Sequence, residues 1–169
     1  VIVLSKYISS HFFSAASSES RIVVYTCLVV EYYINFENTP TYNNIVTEIE
    51  VATRAQVEWY KIQDGGNGYN ITDNTSVKQE KNSICNVATL TFTGTISRNV
   101  LTFDVNGERA ESHMNGLYLL LNDEHVDNRS LINHNVANCE SFELYKGILG
   151  GKSTGPARAR PEAESQSRG

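Results

Sequence analysis

Period-two alternation governs this chain. In "IVTEIEV" the residues Ile45, Thr47, Ile49 and Val51 fall on one side, and in "ATLTF" Ala88, Leu90 and Phe92 are opposed by threonines. This is the spacing of strands, whose successive side chains point to opposite faces. No window offers an apolar i, i+3, i+4, i+7 stripe with caps over three turns, and the many β-branched residues and tyrosines disfavour long helices. Turn chemistry recurs at short intervals, in "DGGNG" at 64–68, "KQEKNS" at 78–83, "NGER" at 106–109, "NDE" at 122–124 and "GG" at 150–151. The chain is therefore expected to be all-β, with many short strands. A sandwich, a barrel and a β-helix all fit that spacing, and Asn106-Gly107 between alternating strands would ordinarily mark a tight antiparallel hairpin.

A length of 169 residues suits one domain with a core of its own. The formal net charge of -5 and the confinement of clustered arginines to the last dozen residues exclude a phosphate-neutralising surface, so no nucleic-acid partner is expected. Cys27, Cys85 and Cys139 are odd in number and widely spaced, which fits neither a disulfide framework nor a zinc knuckle and favours a reducing, cytoplasmic compartment. The sequons at Asn70, Asn74 and Asn128 carry no weight in that setting. The run "IVVYTCLVV" at 22–30 is too short to cross a bilayer. Residues 1–17 lack a clean apolar leader and stand as an unassigned lead segment. The chain starts at Val1 and is expected to be a piece of a longer protein. From residue 156, "PARARPEAESQSRG" contains no large apolar residue, and residues 156–169 are expected to be a disordered tail.

Chemistry-bearing residues concentrate in "NDEHVDNRSLINHNVANCESFELYKGIL", residues 122–149. If 125–136 is extended, parity places Val126, Asn128, Ser130, Ile132, His134 and Val136 on one face. His125, Asp127, Arg129, Leu131 and Asn133 take the other. Only the even face is apolar along its length, so it should be buried, with His134 inside and His125, Asp127 and Arg129 toward solvent. His125, His134 and Cys139 are the candidate metal ligands, but the two histidines face opposite ways unless a bulge intervenes, and no compact ligand pair nucleates a zinc site. Cys139 lacks the glycine-rich turn that would present a nucleophile, and a small buried residue is its expected role. Glu140 and Glu143, three apart, point to opposite faces and make no acid/base pair. "GILGGKS" approaches a phosphate-binding loop, yet Lys146 stands where its first glycine is required. No catalytic or cofactor-binding residue is assigned.

The order "HVDN", then an "IxH" element, "NCES" and "ELYKGIL" within residues 114–155, with "IVTEIEVATRAQVEWYKIQ" upstream, resembles the SufD family of the Suf iron–sulfur cluster assembly system. It is closer to SufD than to SufB at the "HVDN" element. The resemblance covers 18–155 as a partial core and implies a right-handed parallel β-helix, here a truncated β-solenoid, followed by a non-family tail. It implies a non-catalytic scaffold with SufB-like and SufC-like partners and no small-molecule substrate. It also implies no cofactor bound by this chain alone, the iron–sulfur cluster residing transiently on the full complex. In that picture the dense polar stretch is one or two rungs of the solenoid. The rival readings are a β-solenoid carbohydrate-active enzyme, which needs convergent carboxylates and exposed aromatics in a groove, and a metal-binding module.

Overall fold

The computed structural model describes residues 26–35 and 40–155, together with the backbone of residues 2–3, 9–10 and 157–163. Among the described residues there are twelve strands and no helix. They are β1 (Ile2–Val3), β2 (Ser9–Ser10), β3 (Thr26–Ile34), β4 (Thr41–Val51), β5 (Gln56–Asp64), β6 (Tyr69–Gln79), β7 (Ile84–Thr93), β8 (Ile96–Val105), β9 (Glu111–Leu120), β10 (His125–His134), β11 (Glu140–Leu149) and β12 (Ala157–Ala163). Odd-numbered strands stack in one sheet in the order β1-β3-β5-β7-β9-β11, with β2 also on β3, and even-numbered strands stack in a second in the order β12-β10-β8-β6-β4. From β3 onward every pairing is parallel and joins strands one winding apart, as in Gln56 with Ile84, Ile84 with Glu111 and Glu111 with Glu140. The chain is a parallel β-helix, as the sequence resemblance implied.

Asn106-Gly107 makes no hairpin. It is a corner between the two sheets, stacked on the corner of the preceding coil through the bond from Asn106 N to Gln79 O at 2.9 Å. Residues 157–163 also depart from expectation. The segment foreseen as a disordered tail forms β12, paired with β10 from Asn128–Ala157 to His134–Ala163. Backbone pairing on an open sheet edge needs no apolar side chain, and Pro161, which lacks an N–H, is tolerated because β12 is an edge strand. Residues 156 and 164–169 of that expected tail, and all of the lead segment except β1 and β2, lie outside the described residues.

Coil-on-coil stacking explains why a strand pattern repeats in space with little repeat in sequence. At the same corner of four successive coils one residue takes a left-handed backbone: Arg54 (φ 63), Asn82 (φ 55), Arg109 (φ 58) and Asn138 (φ 59). Arg54 N, Asn82 N and Arg109 N each donate to a carbonyl of the next coil, on Lys81, Glu108 and Asn138. The residue that follows each is small: Ala55, Ser83, Ala110 and Cys139. The first three are buried, and the fourth, on the last such corner, is half-buried. Gly107 sits at this corner with no room for a side chain, since a Cβ there would lie 1.9 Å from the backbone nitrogen of Lys81. Gly107→Ala is expected to cost about 1–3 kcal/mol, because the obstacle is main chain and cannot swing aside. The urea midpoint measures this, and an unchanged midpoint would contradict the corner packing.

The core lies between the sheets. Ile49, Val51, Val57, Val77, Val87, Leu101, Phe103, Val105, Met114 and Ile132 form its main apolar cluster, and Tyr33, Tyr69 and Ile71 a second. Ile45, Thr47, Ile49 and Val51 share the inward face of β4, as their alternation required. In β7 the inward set is Cys85, Val87 and Thr91, all buried, so Leu90 is turned outward and a threonine inward.

Candidate functional site in the coil interior

Polar side chains enter the interior in columns set by the strand register. Ile45, Asp73, Asn99 and Asn128 form one column, and Thr47, Thr75, Leu101 and Ser130 the next. From the facing sheet, Glu31 stands above Lys61 and Tyr33 above Gln63, which stands above Thr91. The side chains cross the interior and bond to one another. Thr91 Oγ1 donates to Gln63 Oε1 at 2.8 Å, Gln63 Nε2 to Asn99 Oδ1 at 2.8 Å, and Asn99 Nδ2 to Asn128 Oδ1 at 2.9 Å. Lower down, Ser112 Oγ donates to Gln79 Oε1 at 2.5 Å, and Gln79 Nε2 to the Glu111 carbonyl at 3.0 Å. Each buried amide thereby meets the partners that burial demands.

The upper coils hold charges as well. Lys61 is 1% exposed. Its Nζ donates to Asp73 Oδ1 at 2.7 Å and Oδ2 at 2.8 Å, to Thr75 Oγ1 at 2.5 Å and to Thr47 Oγ1 at 3.1 Å, and lies 3.9 Å from Glu31 Oε2. That Glu31 oxygen accepts from the Tyr33 hydroxyl at 2.6 Å and from Trp59 Nε1 at 3.1 Å. Burial holds the Asp73 carboxyl above its ordinary range, against the charge and hydrogen bonds of Lys61 and the hydrogen bond of Thr75. Burial, followed by the hydrogen bond to Glu31, raises the Tyr33 phenol. None of these residues belonged to the sequence-stated candidates. Parity along "EWYKIQD" places Lys61 on the same face as Trp59 and Gln63, which is the signal that could have located it.

The residues singled out from sequence do not converge. His125 opens β10 and His134 closes it, so they lie about 30 Å apart along one strand at its usual rise. His125 Nδ1 is 2.7 Å from Thr154 Oγ1, and His134 Nε2 is 3.2 Å from Ser141 Oγ. Cys139 occupies the small-residue corner, its Sγ 3.4 Å from the Gly107 carbonyl. Cys85 is fully buried, and burial pushes its thiol up and away from the reactive thiolate. Among the described residues no three histidine, cysteine or carboxylate side chains are grouped to hold a metal ion.

Parity along β10 holds for Val126, Asn128, Ser130 and Ile132, all buried. Two positions differ from expectation. Asp127, expected in solvent, is 5% exposed, because Arg129 on its own strand and Arg98, its direct neighbour on β8, cover it. Arg129 Nη2 lies at 2.9 Å and Arg98 Nε at 3.3 Å from its Oδ2. Burial alone would raise this carboxyl, but the hydrogen bond and charge of Arg129, aided by Arg98 and His125, hold it below its ordinary value. His134, expected inside, is only half-buried, since it ends its strand where the coil turns toward β11, the outermost strand of its sheet.

Outside the coil, a groove of about 320 Å³ runs between Tyr60, Leu90, Leu117, Leu144 and Lys146 with no carboxylate in its lining. A corner recess of about 410 Å³ contains Asp123 and Glu124 but no aromatic ring, and Glu124 Oε2 there accepts from the Leu121 and Asn122 amides.

These features define a solid parallel β-helix whose polar residues bond mainly to each other. The family model described as SUF system FeS cluster assembly, SufBD core domain, matches residues 12–167, and the chain belongs to that family. The match takes in residues 12–17 and 156–167 as well as the 18–155 core that the resemblance covers. The chain is also similar to the iron–sulfur cluster assembly SufBD family protein ML0594 of Mycobacterium leprae, with 27% identity over 133 residues. That alignment covers 78% of this chain and 33% of the relative, so the chain spans about a third of that protein's length. No solved structure matches the chain.

Proposed function

We propose that this chain is part of a SufD-type, non-catalytic scaffold subunit that works with SufB-like and SufC-like partners in building iron–sulfur clusters, the cluster being cargo of the whole complex. The observation that carries this reading is the SufBD core match along the β-helix. Its interior supports the same view, because Gln63, Asn99, Asn128 and Gln79 are committed to bonds within the coil. A carbohydrate-active site would place two carboxylates and aromatic rings in one groove. The outer groove has a tyrosine and no carboxylate, and the recess at the corner has the reverse.

No helix among the described residues is long and apolar enough to cross a membrane, and the three cysteines are free thiols. Both are compatible with the cytoplasmic setting we propose. Co-expression of the full-length protein containing this chain with SufB-like and SufC-like proteins is expected to yield a co-purifying complex. Recovery of the tagged protein alone, under reducing conditions and at low salt, would overturn the assignment.

A further inference from the structure

Three ionisable side chains meet in the upper interior, and their charges do not cancel. Lys61 supplies one ammonium, while Asp73 and Glu31 supply two carboxylates, and all three are at most 9% exposed. The groups facing the Lys61–Asp73 pair are Glu31 and the Tyr33 phenol from β3, Thr47 from β4, which accepts from Lys61, and Thr75 and the Tyr69 phenol from β6 itself. Lys61 is the only cation of the cluster. Its ammonium touches both sheets and both coils, so the cluster ties β3 and β4 to β5 and β6.

We propose that the Glu31–Lys61–Asp73 cluster is an acid-sensitive latch, in which mild acidification adds one proton to the folded cluster and strengthens the hold of the first coil on the second. A single proton leaves one carboxylate for one ammonium, the neutral count that a low-dielectric interior favours. The direction at Asp73 agrees, since its carboxyl is raised by burial, with Glu31 adding to the rise. A carboxyl raised in the folded state binds its proton more tightly there than in the unfolded chain. Stability from this group therefore rises as pH falls from the raised value toward the ordinary one near 3.8, and is lost as pH climbs back through the raised value. A second proton would leave Lys61 as a lone buried cation, so the gain reverses at lower pH.

Trp59 is the only tryptophan and donates to Glu31, so its emission reports on the cluster during urea unfolding of the chain. The measured quantity is the ratio of unfolding constants of wild type and variant, which removes the contribution of all other carboxylates. On lowering the pH through the window, wild type is expected to gain relative to Asp73→Asn by up to about tenfold per pH unit, the slope for one proton. Glu31→Gln removes only the smallest of the causes that raise Asp73 and leaves its burial in place. Wild type is therefore expected to gain relative to it in the same direction but more weakly, and this comparison carries the test alone if Asp73→Asn does not fold. A wild-type-to-variant ratio independent of pH overturns the latch.

Discussion

Purified by itself at roughly tens of micromolar, the 169-residue chain is expected to run as oligomers and not as a monomer. The cause lies in the last coil. Among the described residues, strand β11 is outermost in its sheet, so one edge of its backbone offers N–H and C=O groups to any chain that can align with it. Its outward face carries Phe142, Leu144 and Ile148, which are 50%, 53% and 61% exposed, against Glu140 and Lys146 as charged neighbours. His113 stacks on Phe142 with ring centroids 4.9 Å apart, and the phenylalanine is still half exposed. An edge of this kind, apolar and ten residues long, has too few charges to discourage pairing. Light scattering tests it. Phe142→Lys with Leu144→Lys is expected to shift the population toward smaller species without changing the β-rich circular dichroism spectrum. A sharp monomeric peak for the wild-type chain at the same concentration would refute the expectation.

The outward apolar face of β11 and the inward polar face of β6 show how differently the two halves of the fold were legible. Alternation names strands and faces, and it placed Ile45, Ile49 and Val51 inward correctly. It cannot say which strand lies beside which. Pairing partners lie a full winding apart, Gln56 with Ile84 for example, and the element that repeats is a left-handed backbone shared by Arg54, Asn82, Arg109 and Asn138. Two of these are arginine, a residue with no preference for that conformation, so no motif marks the corner. The β-helix was therefore reached by resemblance and not by period. Parity also assumes that an outward residue is a wet one. Asp127 breaks that rule because two arginine side chains cover it, and Leu90 and Thr91 break its converse, that apolar residues go in. The charged interior was missed for a related reason. Parity along β5 gives the inward face of Lys61, but Asp73 and Thr75, which meet it across the coil from the other sheet, are not written in that strand, so its partners could not be read from it.

That contact sets the second large expectation. Lys61→Ala is expected to lower stability by about 3–5 kcal/mol, the usual consequence of removing one partner from a buried pair. Asp73 would be left facing Glu31 across the interior with no ammonium between them, and the Thr47 and Thr75 hydroxyls would lose the donor they share. A typical domain is held by about 5–15 kcal/mol, so a loss of this size is a large fraction of the whole. The polar contacts themselves supply little net stability, because desolvating three charges offsets most of their attraction. Replacing the pair together, as Lys61→Met with Asp73→Leu, is accordingly expected to recover most of the loss, leaving Glu31 with its Tyr33 and Trp59 donors. Urea unfolding at low protein concentration, followed by Trp59 emission, compares the two. A loss below about 1 kcal/mol for Lys61→Ala, the range of exposed ion pairs, would mean that Lys61 reaches water and that the charged interior is not closed.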